Sequence, residues 1–224
     1  MKKLILAIAL AFVGHSVTAQ TISANRIQVT VGLASPIGKF RDMGHNFEPM
    51  GFAKTGVQFG LSYQGSLTKN IGLGATFNHR INQLDLEGIA RAAKAGENGG
   101  PADPYLSTFL LADFYWKVPV KKVELYTKAS VGGAFNQSPK AELKGAGNSL
   151  TILPANKFAL AYGVAGGARY DFGKMGLGLE IGLVGTSPKF GYDMSAMGGS
   201  KDLKIVQPMN AIHVSSIFSY RVSH

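Results

Sequence analysis

The sequence has no cysteine among its 224 residues. That excludes disulfides, thiol catalysis and thiolate metal sites. Acidic residues are few, 13 against 23 Lys and Arg, which leaves a formal charge of +10. Beyond the N-terminus there is no long apolar run, because Gly and polar residues interrupt each one, so no helical membrane span is expected. Basic residues are scattered rather than interleaved with aromatics, so nucleic acid is not expected as a partner. Anionic lipid headgroups suit this charge better.

What the chain does have is an export signal followed by a period of two. Lys2 and Lys3, the apolar stretch Leu4 to Val13 and the small-residue site Val17-Thr18-Ala19 before Gln20 form the pattern of a signal peptide spanning residues 1–19. Its apolar part is shorter than the roughly 20 residues a helix needs to span a bilayer. Without Lys2 and Lys3 the formal charge falls from +10 to +8. Residues 20–224, about 205 in number, are within the size of one domain.

In that domain Val57, Phe59, Leu61 and Tyr63 alternate with Gln58, Gly60, Ser62 and Gln64. One greasy and one polar face per strand is the pattern of a sheet at a phase boundary. The rhythm recurs in eight runs: Arg26 to Ser35, Lys54 to Leu67, Ile71 to Ile81, Tyr105 to Val118, Val123 to Phe135, Lys157 to Tyr170, Met175 to Thr186 and Met209 to Val222. Between them, long connections alternate with tight turns at Thr68-Lys69-Asn70, Pro119 to Lys122 and Asp171 to Lys174. This pattern predicts an all-β fold: an eight-stranded antiparallel up-and-down transmembrane β-barrel with short periplasmic turns, long extracellular loops and both termini in the periplasm. A soluble eight-stranded barrel also alternates, but around an apolar interior. Here the faces opposite the apolar ones are mostly Gly, Ser, Ala and charges, and the 29 glycines suit narrow, tightly curved strands. In the second long connection Leu84, Leu86, Ile89, Ala90 and Ala93 fit one face of a short helix, ended by Gly96 and Gly99-Gly100, and are expected to form an ordered surface loop rather than a plug.

An inward polar face collects charge. Asp113, Lys117, Glu124, Lys128, Glu180, Arg80, Arg169 and Arg221 are expected to form a lumen charge network, the structural packing of a filled small barrel. A turn over Pro119 to Lys122 pairs Val118 with Val123 and Trp116 with Leu125. It sets Lys117 opposite Glu124 and Asp113 opposite Lys128, the latter as an ion pair. Trp116, Tyr170, Phe172 and Tyr220 lie near the ends bearing short turns and are expected to form a membrane girdle.

Candidate chemistry is sparse. His213 and Ser215 share one face of the last strand, a spacing similar to the His-x-Ser element of outer-membrane lipid A deacylases, but no Glu or Asp follows and both side chains face inward. No catalytic role is expected for them. His45, Asn46 and Glu48 in the first loop, and His79 at the end of the third strand, form no metal-ligand set. Gly163 to Gly167 is followed by no helix and is not a phosphate loop. No cofactor and no metal are expected.

The block Val31-Gly32-Leu33-Ala34-Ser35-Pro36-Ile37-Gly38-Lys39-Phe40-Arg41-Asp42 resembles the first strand and loop of small outer-membrane β-barrel proteins of the Bacteroidetes type, and cleavage before Gln20 fits that group. In layout the chain is similar to OmpA- and OmpW-like eight-stranded barrels. The resemblance implies insertion by the barrel-assembly machinery and contact with outer-membrane lipid and lipopolysaccharide, with the barrel as a monomer. Members often end on an aromatic residue, whereas this chain ends Phe218-Ser219-Tyr220-Arg221-Val222-Ser223-His224. No periplasmic peptidoglycan-binding domain is expected after the eighth strand. These features point to a non-enzymatic outer-membrane protein of cell-surface interaction or envelope integrity. The alternatives are an OmpW-like narrow channel for small or hydrophobic solutes, a lipid A-modifying hydrolase and an accessory barrel of a secretion machine.

Overall fold

A computed structural model describes residues 25–42, 51–92, 99–144, 149–152, 154–192 and 203–222. The signal segment Met1 to Ala19 with its site before Gln20, the loop residues His45, Asn46 and Glu48, Ala93 and Gly96, and the terminal Ser223 and His224 lie outside the described residues. In chain order the elements are β1 (Asn25–Pro36), β2 (Gly56–Ser66), β3 (Ile71–Asn82), α1 (Leu86–Ala92), β4 (Gly99–Ala102), β5 (Tyr105–Val120), β6 (Val123–Gln137), β7 (Ala141–Lys144), β8 (Ser149–Ile152), β9 (Asn156–Phe172), β10 (Met175–Thr186), β11 (Lys189–Tyr192), β12 (Leu203–Val206) and β13 (Ala211–Val222). A 3₁₀ turn, Gly38–Phe40, follows β1.

Eight strands close into an antiparallel barrel in the order β1-β13-β10-β9-β6-β5-β3-β2. Closure leaves no open edge, which lipid would not tolerate. Partners followed once around the wall run from Arg26 through Gln64, Gly74, Asp113, Ser130, Gly163, Val184 and Ala211 to Pro36. The path returns to β1 ten residues further on, the stagger that tilts the strands of a narrow barrel. The long connections carry strands the sequence pattern does not announce: β4-β7-β8 form a three-stranded sheet and β11-β12 a hairpin, while α1 sits in the second connection where the apolar spacing places a short helix.

The outside is apolar. Val57, Leu110 and Leu179 are 48%, 64% and 62% exposed, and the same face of every barrel strand continues this belt. Soluble monomers rarely expose apolar patches beyond about 300–600 Å², so a belt around a whole barrel is a lipid-facing surface. The inside is polar: Arg26, Gln28, Gln58, Gln64, Asp113, Lys117, Arg169 and Glu180 are buried there. The chain is therefore an eight-stranded transmembrane barrel and not a soluble one with an apolar interior.

One expected detail is corrected. Pro119 and Val120 belong to β5, and the turn consists of Lys121 and Lys122, with Lys121 at φ 56°. The β5–β6 register is thus displaced by two residues: Val120 faces Val123, Val118 faces Leu125, and Trp116 faces Thr127. Pro119 is tolerated because β3 ends opposite Trp116, so no ladder bond on that side is lost. A shift of two keeps every side chain on its face but changes its partner. Lys117 therefore lies opposite Tyr126, and Asp113 opposite Ser130; the expected Asp113–Lys128 and Lys117–Glu124 pairings across the ladder do not form.

Candidate functional site

The inward face stacks into layers. At the short-turn end, Arg26 from β1 forks onto Asp171 of β9, with Nη1 donating to Oδ1 at 2.6 Å and Nη2 to Oδ2 at 3.0 Å. Arg221 of β13 donates to the same Oδ2 at 2.6 Å. Arg169 is ion-paired with Glu124 and donates to Gln64 Oε1 at 3.2 Å. Lys117 donates to Ser66 Oγ at 2.7 Å. Bidentate, charge-assisted bonds of this kind hold a fixed geometry. Neither Arg26 nor the structural role of Asp171 was singled out from the sequence. Their parity was the available signal: Arg26 alternates with Gln28, and Asp171 with Arg169, on the polar face.

The next layer is aromatic. Tyr115 and Tyr126 face each other with ring centroids 6.0 Å apart and bury Ile217 beside them. Gly167 makes room for this: a Cβ there would lie 2.6 Å from the Tyr126 ring tip. Above it sit two carboxylates with separate partners. Glu180 of β10 accepts from Tyr126 Oη at 2.7 Å and Lys128 Nζ at 3.0 Å, and His213 Nε2 lies 3.3 Å away. Asp113 accepts from Thr76 and Ser130 hydroxyls, each at 2.5 Å. Between them a cavity of about 30 Å³, reached by Thr76, Asn78, Lys128, Ser130, Glu180 and His213, has room for little more than a water molecule.

Two further layers close the other end. Phe109, Leu111, Ala134, Ala161 and Val184 form an apolar layer inside the wall. Arg80 lies fully buried next to it, its guanidinium 5.1 Å from the Phe109 ring centroid and 5.4 Å from that of Phe40, with Nη2 donating to Met209 O at 3.0 Å. Phe40, Ala53, Tyr105, Phe190 and Met209, gathered from the long connections and strand ends, pack into a lid over it.

All of Asp113, Lys117, Glu124, Lys128, Glu180, Arg80 and Arg169 are inside: Lys117, Glu124 and Arg169 at the short-turn end, Lys128 with Glu180, Asp113 with Thr76 and Ser130, and Arg80 beneath the lid; Arg221 is half-buried at the short-turn mouth. Trp116, Tyr170, Phe172 and Tyr220 are exposed on the outer face near that end. His213 and Ser215 face inward, and the fold supplies what the local sequence lacks, since Glu180 lies opposite Ser215. Yet Ser215 accepts from Gln58 Nε2 at 3.0 Å, and His213 engages Glu180 through Nε2, so no proton relay to Ser215 is assembled. His79 faces outward beside Phe59. Among the described residues no three His, Asp or Glu side chains gather to hold a metal ion.

No family model matches the sequence, and no curated protein matches it. Solved structures do. Neisserial surface protein A has a TM-score of 0.51 at 10% identity, over 91% of this chain and 100% of that one. A major outer membrane protein from Thermus thermophilus has a TM-score of 0.50 at 15% identity, over 88% of this chain and 100% of that one. At such identities the likeness is one of fold: the chain has the fold of the small eight-stranded outer-membrane barrels.

Proposed function

We propose that this chain is a non-conducting, non-enzymatic barrel of the bacterial outer membrane that acts at the cell surface or in envelope integrity through its four long connections. The observation carrying this reading is the filled lumen. Between the Arg26–Asp171 floor and the Phe40–Met209 lid lie an aromatic and an apolar layer, and a cavity of about 30 Å³ among these side chains has no room for a solute. A narrow channel needs a continuous wetted path, and a lipid-modifying enzyme needs its nucleophile open to lipid; Ser215 is buried inside the wall.

In this account residues 1–19 direct export and are removed, and residues 20–224 form the barrel. The barrel-assembly machinery inserts it as a monomer, with the termini and short turns in the periplasm. The apolar belt contacts outer-membrane lipid, and the long connections meet lipopolysaccharide. Planar-bilayer recording tests the reading: the purified barrel gives no current steps above the baseline. Reproducible steps would establish the narrow channel instead.

A further inference from the structure

The end bearing the short turns is strongly basic. Lys69, Lys121, Lys122 and Lys174 are exposed on its three turns. Its two carboxylates, Glu124 and Asp171, point inward and are held by Arg26, Arg169 and Arg221. Among the described residues the turns that carry the rim lysines hold no acidic side chain of their own.

One of these turns also carries a groove. Val120, Val123, Leu125 and Tyr170 line an open, almost wholly apolar hollow of about 610 Å³, with Lys121 and Lys122 at its edge. The register fixes its walls, since Val120 faces Val123 and Val123 faces Tyr170. The backbone N–H of Asp171 donates to Lys122 O at 2.8 Å, which clamps the turn against β9. Lys121 holds φ 56° at the first central position of a two-residue hairpin, where Gly fits without steric cost. A lysine there accepts the strain of a left-handed backbone and places a cation at the edge of the groove.

We propose that this groove binds an anionic lipid, its phosphate paired with Lys121 and Lys122 and the upper part of an acyl chain laid along Val120, Val123, Leu125 and Tyr170. The groove is continuous with the lipid-facing belt through Leu125 and Tyr170, both half exposed. An occupant with an apolar body and an anionic head fits it, and a soluble polyanion does not. The inference rests on the membrane reading above and adds a headgroup preference to it.

Trp116 is the sole tryptophan. It shares the outward face of β5 with Val118 and Val120, so its fluorescence reports on lipid beside the groove. The test places the full chain in phosphatidylcholine vesicles containing a minor fraction of phosphatidylglycerol, with bromine on one lipid or on the other. A surface lysine favours anionic lipid by roughly fivefold, so quenching per brominated phosphatidylglycerol exceeds quenching per brominated phosphatidylcholine several-fold and falls toward equality as salt is raised. The pair Lys121→Gly and Lys122→Gln abolishes the excess. Its glycine relieves the positive φ, so the hairpin is kept, and unchanged Trp116 emission confirms insertion. The pair Lys69→Gln and Lys174→Gln retains the excess. Equal quenching in the inserted wild type overturns the site while leaving the membrane reading intact. Equal loss in both variant pairs also overturns it, because the attraction then belongs to the whole rim. A chain that fails to enter vesicles at all overturns both.

Discussion

Lys128 Nζ lies 3.0 Å from Glu180 Oε1 and reaches it over an intervening strand. Lys128 is on β6 and Glu180 on β10; between them β9 offers only Ala165 and Gly167 at the facing positions. The small residues of β9 are what let an ion pair close across two strand spacings. Both side chains are nearly buried, so the pair is costly to break from one side. Glu180→Gln leaves an uncompensated ammonium and is expected to cost about 3–5 kcal/mol. Adding Lys128→Met removes that charge and recovers much of the loss. Urea unfolding of the four proteins in bilayers measures the cycle, and additive single losses would show that the two groups do not interact.

Adjacent glycines on β9 give a sharper contrast. A Cβ on Gly167 meets the Tyr126 ring and the backbone oxygen of Leu179, whereas one on Gly166 has nothing closer than Tyr126 O at 3.7 Å. Gly167→Val is expected to displace Tyr126 from Glu180 and to cost about 1–3 kcal/mol. Gly166→Ala, on the lipid face, stays within about 0.5 kcal/mol of the parent. Unfolding midpoints of the two variants check this, and similar values for both would mean that Tyr126 is not packed against the wall.

Strand parity was legible in the sequence; partnership was not. Val57, Leu110 and Leu179 alternate with polar neighbours, and the period of two alone sends them outward. The same period sends Glu124, Lys128 and Glu180 inward. Which of these meet depends on register, and register depends on the turn. Pro119 reads as a turn residue, yet it sits in β5 beyond the end of β3, and that one misplacement moves Lys128 away from Asp113. Asp171 reads as part of a turn for the same reason, although it anchors two arginines. The lid was not legible at all: Phe40 comes from the first long connection and Phe190 and Met209 from opposite ends of the last, far apart in sequence and without a shared periodicity. Only tertiary packing brings them over Arg80.

The proposed non-conducting lumen predicts chemical protection. The native chain has no cysteine, so a thiol can be placed at will. Ser130→Cys, below the apolar layer of Phe109 and Leu111, is expected to resist a charged thiosulfonate reagent added to either side of the bilayer. Phe40→Ala together with Phe109→Ala opens both upper layers, and the rate of modification rises. Rapid labelling in the otherwise native barrel would mean that water already threads the lumen.

The apolar belt is the premise beneath all of this, and single spin labels on its face test it most directly. Cysteines at Leu61, Leu110 and Leu179 in bilayer-embedded protein carry the label outward from three strands. Each label is expected to collide freely with dissolved oxygen and to be shielded from a water-soluble nickel complex. Labels shielded from both reagents would instead place these residues in a protein core, and the barrel would then face its apolar side inward.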